Sequence, residues 1–200
     1  MGIDGAFVES GELRYGHVVA VDIERFSKLT ARDQRAAQML LARALTRAAA
    51  AAGLAREGWY RQPTGDGELA VLPADTDVAL VVANFTDHLV RALRRLRADT
   101  RAHPKLRLRM AIHHGPLAGG LFGPVGPALV VTCRLLDSRP ARAALAGNPD
   151  CDLVLIVSRQ LYQDVVVSGF RGLVSDRFQP MRTTVKGTTY AGYFCLGSPK

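Results

Sequence analysis

Residues 60–72 read Tyr60-Arg61-Gln62-Pro63-Thr64-Gly65-Asp66-Gly67-Glu68-Leu69-Ala70-Val71-Leu72, with one acidic residue between two glycines inside a strand-like pattern. The flanking glycines permit positive φ and leave no Cβ to block a ligand approaching the main chain. Thr64-Gly65-Asp66-Gly67 therefore reads as a tight β-turn, with Asp66 at the tip of a hairpin formed by 58–63 and 67–72. Alone, such a turn is only a connection between strands. A second carboxylate upstream changes its meaning. His17-Val18-Val19-Ala20-Val21 is a run of β-branched and small apolar residues that reads as a buried strand over 16–22; it ends on Asp22, before Ile23-Glu24-Arg25-Phe26-Ser27 and a helical pattern. If the two strands are neighbours, the two acids converge on one point. Carboxylates that close repel each other unless a cation lies between them, and hard oxygen ligands suit Mg²⁺ or Mn²⁺. Metal-dependent chemistry on a phosphate substrate is the expectation.

The chain has 200 residues, 48% of them hydrophobic, which suits one α/β domain over 1–200 with its core at about 16–196. No internal repeat or low-complexity linker divides it. No basic stretch followed by an apolar segment opens the chain, and no apolar run reaches membrane-spanning length, so the expectation is a soluble cytoplasmic protein without a membrane partner. Cys133, Cys151 and Cys195 are an odd set without metal-ligand spacing and read as reduced structural thiols. The net charge of +8 owes much to Arg91, Arg94, Arg95, Arg97, Arg101, Lys105, Arg107 and Arg109. With no nucleic-acid motif and only 6% aromatic residues to stack bases, nucleic acid is not the expected partner. A polyanionic nucleotide or a solvated helix face accounts for the charge equally well.

Further along, the spacing of Ala37, Leu41, Ala44, Leu45 and Ala48 predicts a helix over 31–52, stopped at Gly53. Residues 73–77 cap a second helix whose Val78, Val82, Phe85, Leu89 and Leu93 share one face while its arginines point away. Lys105–His114 alternates as a strand, with Leu106, Leu108, Met110 and Ile112 opposite Lys105, Arg107, Arg109 and Ala111. His113 and His114 are adjacent on that strand and so face opposite ways, which favours structural roles over chelation of one ion. The Gly/Pro-rich stretch 115–127 contains a short strand at 118–122. A third helix begins near Pro127, breaks at Arg139-Pro140 with Ser138 as cap, and resumes to Gly147. A buried strand over 152–157, a short helix capped by Ser158 and ending near Val166, and late strands over 173–186 and 189–196 complete the pattern. It fits a ferredoxin-like α/β sandwich with antiparallel additions.

At this point a resemblance rests on five ordered blocks: Val21-Asp22-Ile23-Glu24-Arg25-Phe26-Ser27, Thr64-Gly65-Asp66-Gly67, Leu108-Arg109-Met110-Ala111-Ile112-His113-His114-Gly115-Pro116, Gly123-Pro124-Val125-Gly126-Pro127-Ala128 and Cys133-Arg134-Leu135-Leu136. From about His17 to Phe194 the chain resembles the class III nucleotidyl (adenylate/guanylate) cyclase homology domain, in its compact soluble bacterial form. Val154–Ser158 and Thr184-Val185-Lys186-Gly187 look like the end of that domain.

The resemblance implies the cyclase catalytic-domain fold with additional C-terminal strands. It implies conversion of a nucleoside triphosphate to a 3′,5′-cyclic nucleotide and pyrophosphate, with two Mg²⁺ or Mn²⁺ ions per site. Asp22, Asp66 and the Ile23 carbonyl match the metal positions, and the turn holding Phe26 and Ser27 would offer N–H groups to phosphates. Arg134 matches the arginine that stabilises charge on the α-phosphate, and Lys186 a lysine near the triphosphate. A head-to-tail homodimer with shared sites is implied as well. Three positions depart from the family. Val130 stands where an asparagine meets the ribose, Gln62 where a lysine reads a purine, and Leu121 where that lysine's polar partner sits. Two outcomes stay open: a cyclase preferring a base other than adenine, similar to the pyrimidine cyclases of antiphage signalling, or a degenerate domain retained as a nucleotide- or partner-binding module.

Overall fold

The computed structural model describes residues 12–99 and 104–197; most of the polar N-terminal stretch, and Arg101 of the basic run, lie outside the described residues. Seven strands form one sheet: β1 (Arg14–Ile23), β2 (Tyr60–Pro63), β3 (Gly67–Val71), β4 (Leu108–Leu117), β5 (Leu153–Ser158), β6 (Gln179–Val185) and β7 (Thr188–Leu196), in the order β2-β3-β1-β4-β5-β7-β6. β4 and β5 are parallel, and the other neighbouring pairs antiparallel. The helices are α1 (Ala31–Ala51), α2 (residues 78–98, with a π turn at Val81–Phe85), α3 (Pro127–Leu136), α4 (Arg139–Ala146) and α5 (residues 159–166).

Alternation along each strand sends side chains to two covered faces. Val19, Val21 and Ile23 of β1 and Leu108, Met110 and Ile112 of β4 pack against Leu41, Leu45 and Ala48 of α1 and Val82, Phe85, Leu89 and Leu93 of α2. On the other face, Ala111, Val154 and Ile156 meet Leu135 of α3 and Ala141 and Leu145 of α4, while Val18 and Ala20 meet Ala128. Asp22 and Arg109 belong by alternation to this second face. The helix ends follow side-chain chemistry: Thr30, Asp77, Ser138 and Ser158 each accept a main-chain N–H of the first turn.

The expected strand bounds move most at β4 and β6. β4 begins at Leu108 because the Arg107 carbonyl accepts Glu24 N–H and the Leu108 N–H donates to Asp152, which closes the ladder there. It runs on to Leu117 because Arg14 and Tyr15 pair with Leu117 and Pro116; Pro116 lies beyond Ile112, the last residue paired with β5, so its missing N–H costs that ladder nothing. The strand expected at 118–122 is instead a loop closed by one bridge between Ala118 and Val125. Residues 173–178 form a 3₁₀ turn at Ser175–Arg177, and β6 starts only at Gln179.

Candidate functional site

β1 lies between β3 and β4, and the register decides what meets Asp22: Gly67 on one side and Arg109 on the other. Gly67 has to be glycine, because a Cβ there would stand 1.8 Å from the Val21 carbonyl oxygen. That close approach seats the turn against β1, where the Asp66 carbonyl accepts the Ile23 N–H at 2.9 Å. Gln38 of α1 braces the turn from outside, its Nε2 donating to the Gly65 carbonyl at 2.7 Å. The expected convergence of Asp22 and Asp66 is thus present. Asp66 lines an open depression of about 400 Å³ together with Ile23, Arg25, Phe26, Ser27, Thr64, Gly65 and Arg109, and buried Asp22 precedes the lining residue Ile23 on β1 and holds lining Arg109.

Asp22 is buried and already holds a cation. The Arg109 Nε and Nη2 donate to its two carboxylate oxygens at 2.8 and 2.6 Å. Burial raises the Asp22 carboxyl above its ordinary value, Arg109 opposes that rise, and the nearby charges of Asp66 and Asp137 add to it. The Arg109 guanidinium shifts upward despite its burial because the Asp22 carboxylate accepts from it. Two other acids near the turn are engaged elsewhere: Glu24 accepts from Arg107 at 2.9 Å and Glu68 from Arg56 at 2.6 Å. Neither is free to replace Asp22 or Asp66 as a ligand. Phe26 and Ser27 belong to a three-residue 3₁₀ turn, Phe26–Lys28, separated from α1 by Leu29 and Thr30, rather than to the first turn of a helix.

Arg109, Arg25 and Gln38 were not singled out from the sequence as site residues. Arg109 was legible only as an outward residue of an alternating strand; its partner depends on the β1–β4 register. Gln38 gives no sequence signal, since its contact joins residues 27 positions apart.

No protein-family model and no curated protein sequence matches the chain. Solved structures do. The adenylate/guanylate cyclase/hydrolase from Silicibacter pomeroyi matches with a TM-score of 0.63 at 23% identity, over 92% of this chain and 98% of that one. The guanylyl cyclase Cya2 matches with a TM-score of 0.63 at 16% identity, over 94% and 96%. The guanylate cyclase domain of RhGC from Catenaria anguillulae, in complex with GTP, matches with a TM-score of 0.58 at 16% identity, over 94% and 100%. The fold is that of the class III nucleotidyl cyclase catalytic domain.

Within this cyclase fold, the remaining sequence candidates are not part of the lining of the Asp22–Asp66 opening. Gln62, on the edge strand β2, is exposed and faces the 119–124 loop: a Cβ on Gly123 would come 3.8 Å from its Oε1 and 2.4 Å from the Tyr60 hydroxyl. Leu121 and Phe122 at that loop's tip are 84% and 92% exposed, so Phe122 is not a core aromatic. Val130 and Arg134 lie one turn apart on α3, with Val130 48% exposed. Lys186 stands exposed at the tip of the β6–β7 hairpin with φ 50°. Phe26, Ser27 and Asp66 therefore line the opening, whereas these five candidates do not and are spread from the β2 edge of the sheet to the β6–β7 hairpin at the other. The histidines behave as the alternation implied: His113 is buried and shares a 2.8 Å hydrogen bond with Ser158, while His114 points the other way toward Asp164 at 3.0 Å.

Proposed function

We propose that the chain is a nucleotidyl cyclase, converting a nucleoside triphosphate to its 3′,5′-cyclic nucleotide and pyrophosphate in a head-to-tail homodimer with two shared sites. The observation that supports this most is the split just described. The Asp22–Asp66 opening offers the acidic groups, while exposed Gln62, Leu121, Val130 and Lys186 and half-buried Arg134 lie outside its lining, where a second copy can bring them to it.

The donor set suits a hard divalent cation: two carboxylates that raise each other's energy, with the Ile23 carbonyl beside them. Asp22 already binds one positive group in the Arg109 guanidinium. Among the described residues no three His, Cys, Asp or Glu side chains converge, so a bound cation would need phosphate oxygens and water beside Asp22 and Asp66. Two Mg²⁺ or Mn²⁺ ions, when bound, supply Lewis acidity to the triphosphate and acidify the attacking 3′-hydroxyl. The chain's own groups do the rest. Arg109 would hold a hydrogen-bond donor for phosphate oxygens at the opening; Arg134 of the partner subunit would offer a fixed guanidinium to the α-phosphate charge, and Lys186 of the partner subunit an ammonium to the triphosphate.

Base preference falls to Gln62 and Leu121. An uncharged amide and a leucine offer a purine edge little to discriminate it, and the Tyr60 hydroxyl against Gly123 holds the Leu121 loop close over β2. UTP or CTP is the preferred substrate in this reading. Antiphage signalling is the setting to which a pyrimidine product points, tested by plaque counts on cells carrying wild type or Asp66→Ala.

The deciding experiment is a four-way NTP competition with Mn²⁺, read by mass spectrometry of cyclic products. Cyclic UMP or CMP at least equal to cyclic AMP, and loss of all product in Asp66→Asn, is the expected result; dominance of cyclic AMP overturns the base preference. A second reading, a nucleotide-binding module without turnover, is favoured by Val130, which offers the ribose no hydrogen bond. Val130→Asn separates the two. A rise in kcat larger than any change in affinity supports the enzyme, because the amide would act as the 3′-oxygen attacks, whereas tighter binding without turnover supports the module.

A further inference from the structure

Among the described residues, three non-glycine residues adopt the left-handed backbone conformation: Arg25 (φ 57°), Arg171 (φ 58°) and Lys186 (φ 50°). An L-residue adopts it at a cost that glycine escapes, so each needs a compensating reason. Arg171 has one within the chain, since its guanidinium donates twice to Asp77. Lys186 has another: followed by Gly187 at φ 81°, it forms the two-residue turn, both residues at positive φ, that closes a β-hairpin. Arg25 has neither. Its carbonyl accepts Lys28 N–H, but its exposed side chain makes no hydrogen bond or ion pair with any described residue. Yet it lines the Asp22–Asp66 opening beside Ser27 and Arg109.

Resting on the cyclase reading above, we infer that Arg25 is a substrate-binding residue whose guanidinium receives the triphosphate chain of the incoming nucleotide. The backbone conformation at residue 25 turns the chain off the end of β1 and leaves the side chain at the rim of the opening rather than packed against the protein. With Asp22 neutralised by Arg109, among the described residues lining the opening Asp66 is the acid without an arginine partner and Arg25 the arginine without an acid. Strain held at a site lining, with no intramolecular contact to offset it, points to a ligand that does so. A tripolyphosphate chain is the chemistry that fits, because a guanidinium pairs with adjacent phosphate oxygens bidentately.

The test uses inorganic tripolyphosphate with Mn²⁺, titrated calorimetrically into the purified protein. Arg25→Gly is expected to weaken its binding about ten-fold, with Tm unchanged or raised because glycine relieves the backbone. Nucleotide KM should rise by a similar factor with kcat little changed. Arg25→Lys should recover part of the affinity, and Arg32→Ala, an exposed arginine on α1, should leave it at the wild-type value. Wild-type tripolyphosphate affinity in Arg25→Gly, or a marked fall in its Tm, overturns the role given to Arg25 while leaving the cyclase site standing. If Asp66→Asn also binds tripolyphosphate as wild type does, the site assignment itself is wrong and the Arg25 role falls with it.

Discussion

At the scale of single residues, the Asp22–Arg109 pair governs the site. Both side chains are about nine-tenths buried, and removing one partner of such a pair leaves the other charge uncompensated. Arg109→Ala is therefore expected to destabilise the fold by about 3 kcal/mol. It should also enlarge the rise in Tm produced by Mn²⁺, because the cation then meets a carboxylate no longer occupied by a guanidinium. Thermal melts of wild type and variant with and without Mn²⁺ check both, and an equal Mn²⁺ effect in the two would remove Asp22 from the metal ligands. Asp22 and Asp66 were legible in the sequence because glycines and a strand end are local signals. Arg109 was not, since only the cross-strand register shows that its outward face meets Asp22 rather than water.

At the scale of elements, the 60–72 hairpin and the β4–β5 pair carry the fold, and each makes a prediction. Gly67→Ala places a Cβ 1.8 Å from the Val21 carbonyl oxygen and must separate β3 from β1, whereas Gly65→Ala meets nothing within 4 Å and suffers only from its φ of +88°. The expected losses are roughly 3 kcal/mol or more for Gly67→Ala and about 1 kcal/mol for Gly65→Ala, read from urea midpoints. Equal losses would mean that the turn is not seated on β1.

β4 and the start of α5 are joined by the His113–Ser158 bond, and burial, with His114 nearby, pushes His113 from 6.5 down to about 4. Between those values the unfolded chain binds the proton and the folded chain does not. Stability is then fully present above about 6.5, falls as pH drops toward 4, and levels below it. His17, shifted the same way by burial and by His114, adds to the slope. His113→Gln is expected to flatten the fall in Tm between pH 6.5 and 5, and a slope unchanged by the substitution would place the titration elsewhere. The helices were legible nearly to their caps because helical periodicity and Thr30, Asp77, Ser138 and Ser158 are visible in the sequence. The loop at 118–122 was not, because Leu121 and Phe122 look like strand residues until the sheet leaves them without a neighbour.

At the scale of the whole molecule, the proposed reading shares each site between two chains, because Gln62, Leu121, Val130, Arg134 and Lys186 lie outside the lining of the Asp22–Asp66 opening. Exposed Leu121, Phe122, Val125 and Val130 lie with Gln62 and Arg134 in the part a second copy would cover. Sequence order could show that the blocks follow the cyclase arrangement, but not which candidates line the Asp22–Asp66 opening, because position in space has no trace in spacing along the chain. The most direct measurement is complementation. Asp66→Ala and Arg134→Ala proteins are each purified, mixed in equal amounts, and assayed for cyclic nucleotide by mass spectrometry. In a shared-site dimer, random pairing makes half of the dimers mixed, each with one intact site of two. Each variant alone should be inactive, and the mixture should regain about a quarter of wild-type activity. A mixture as inactive as its components, beside a wild-type protein that turns over as a monomer, would contradict the shared site.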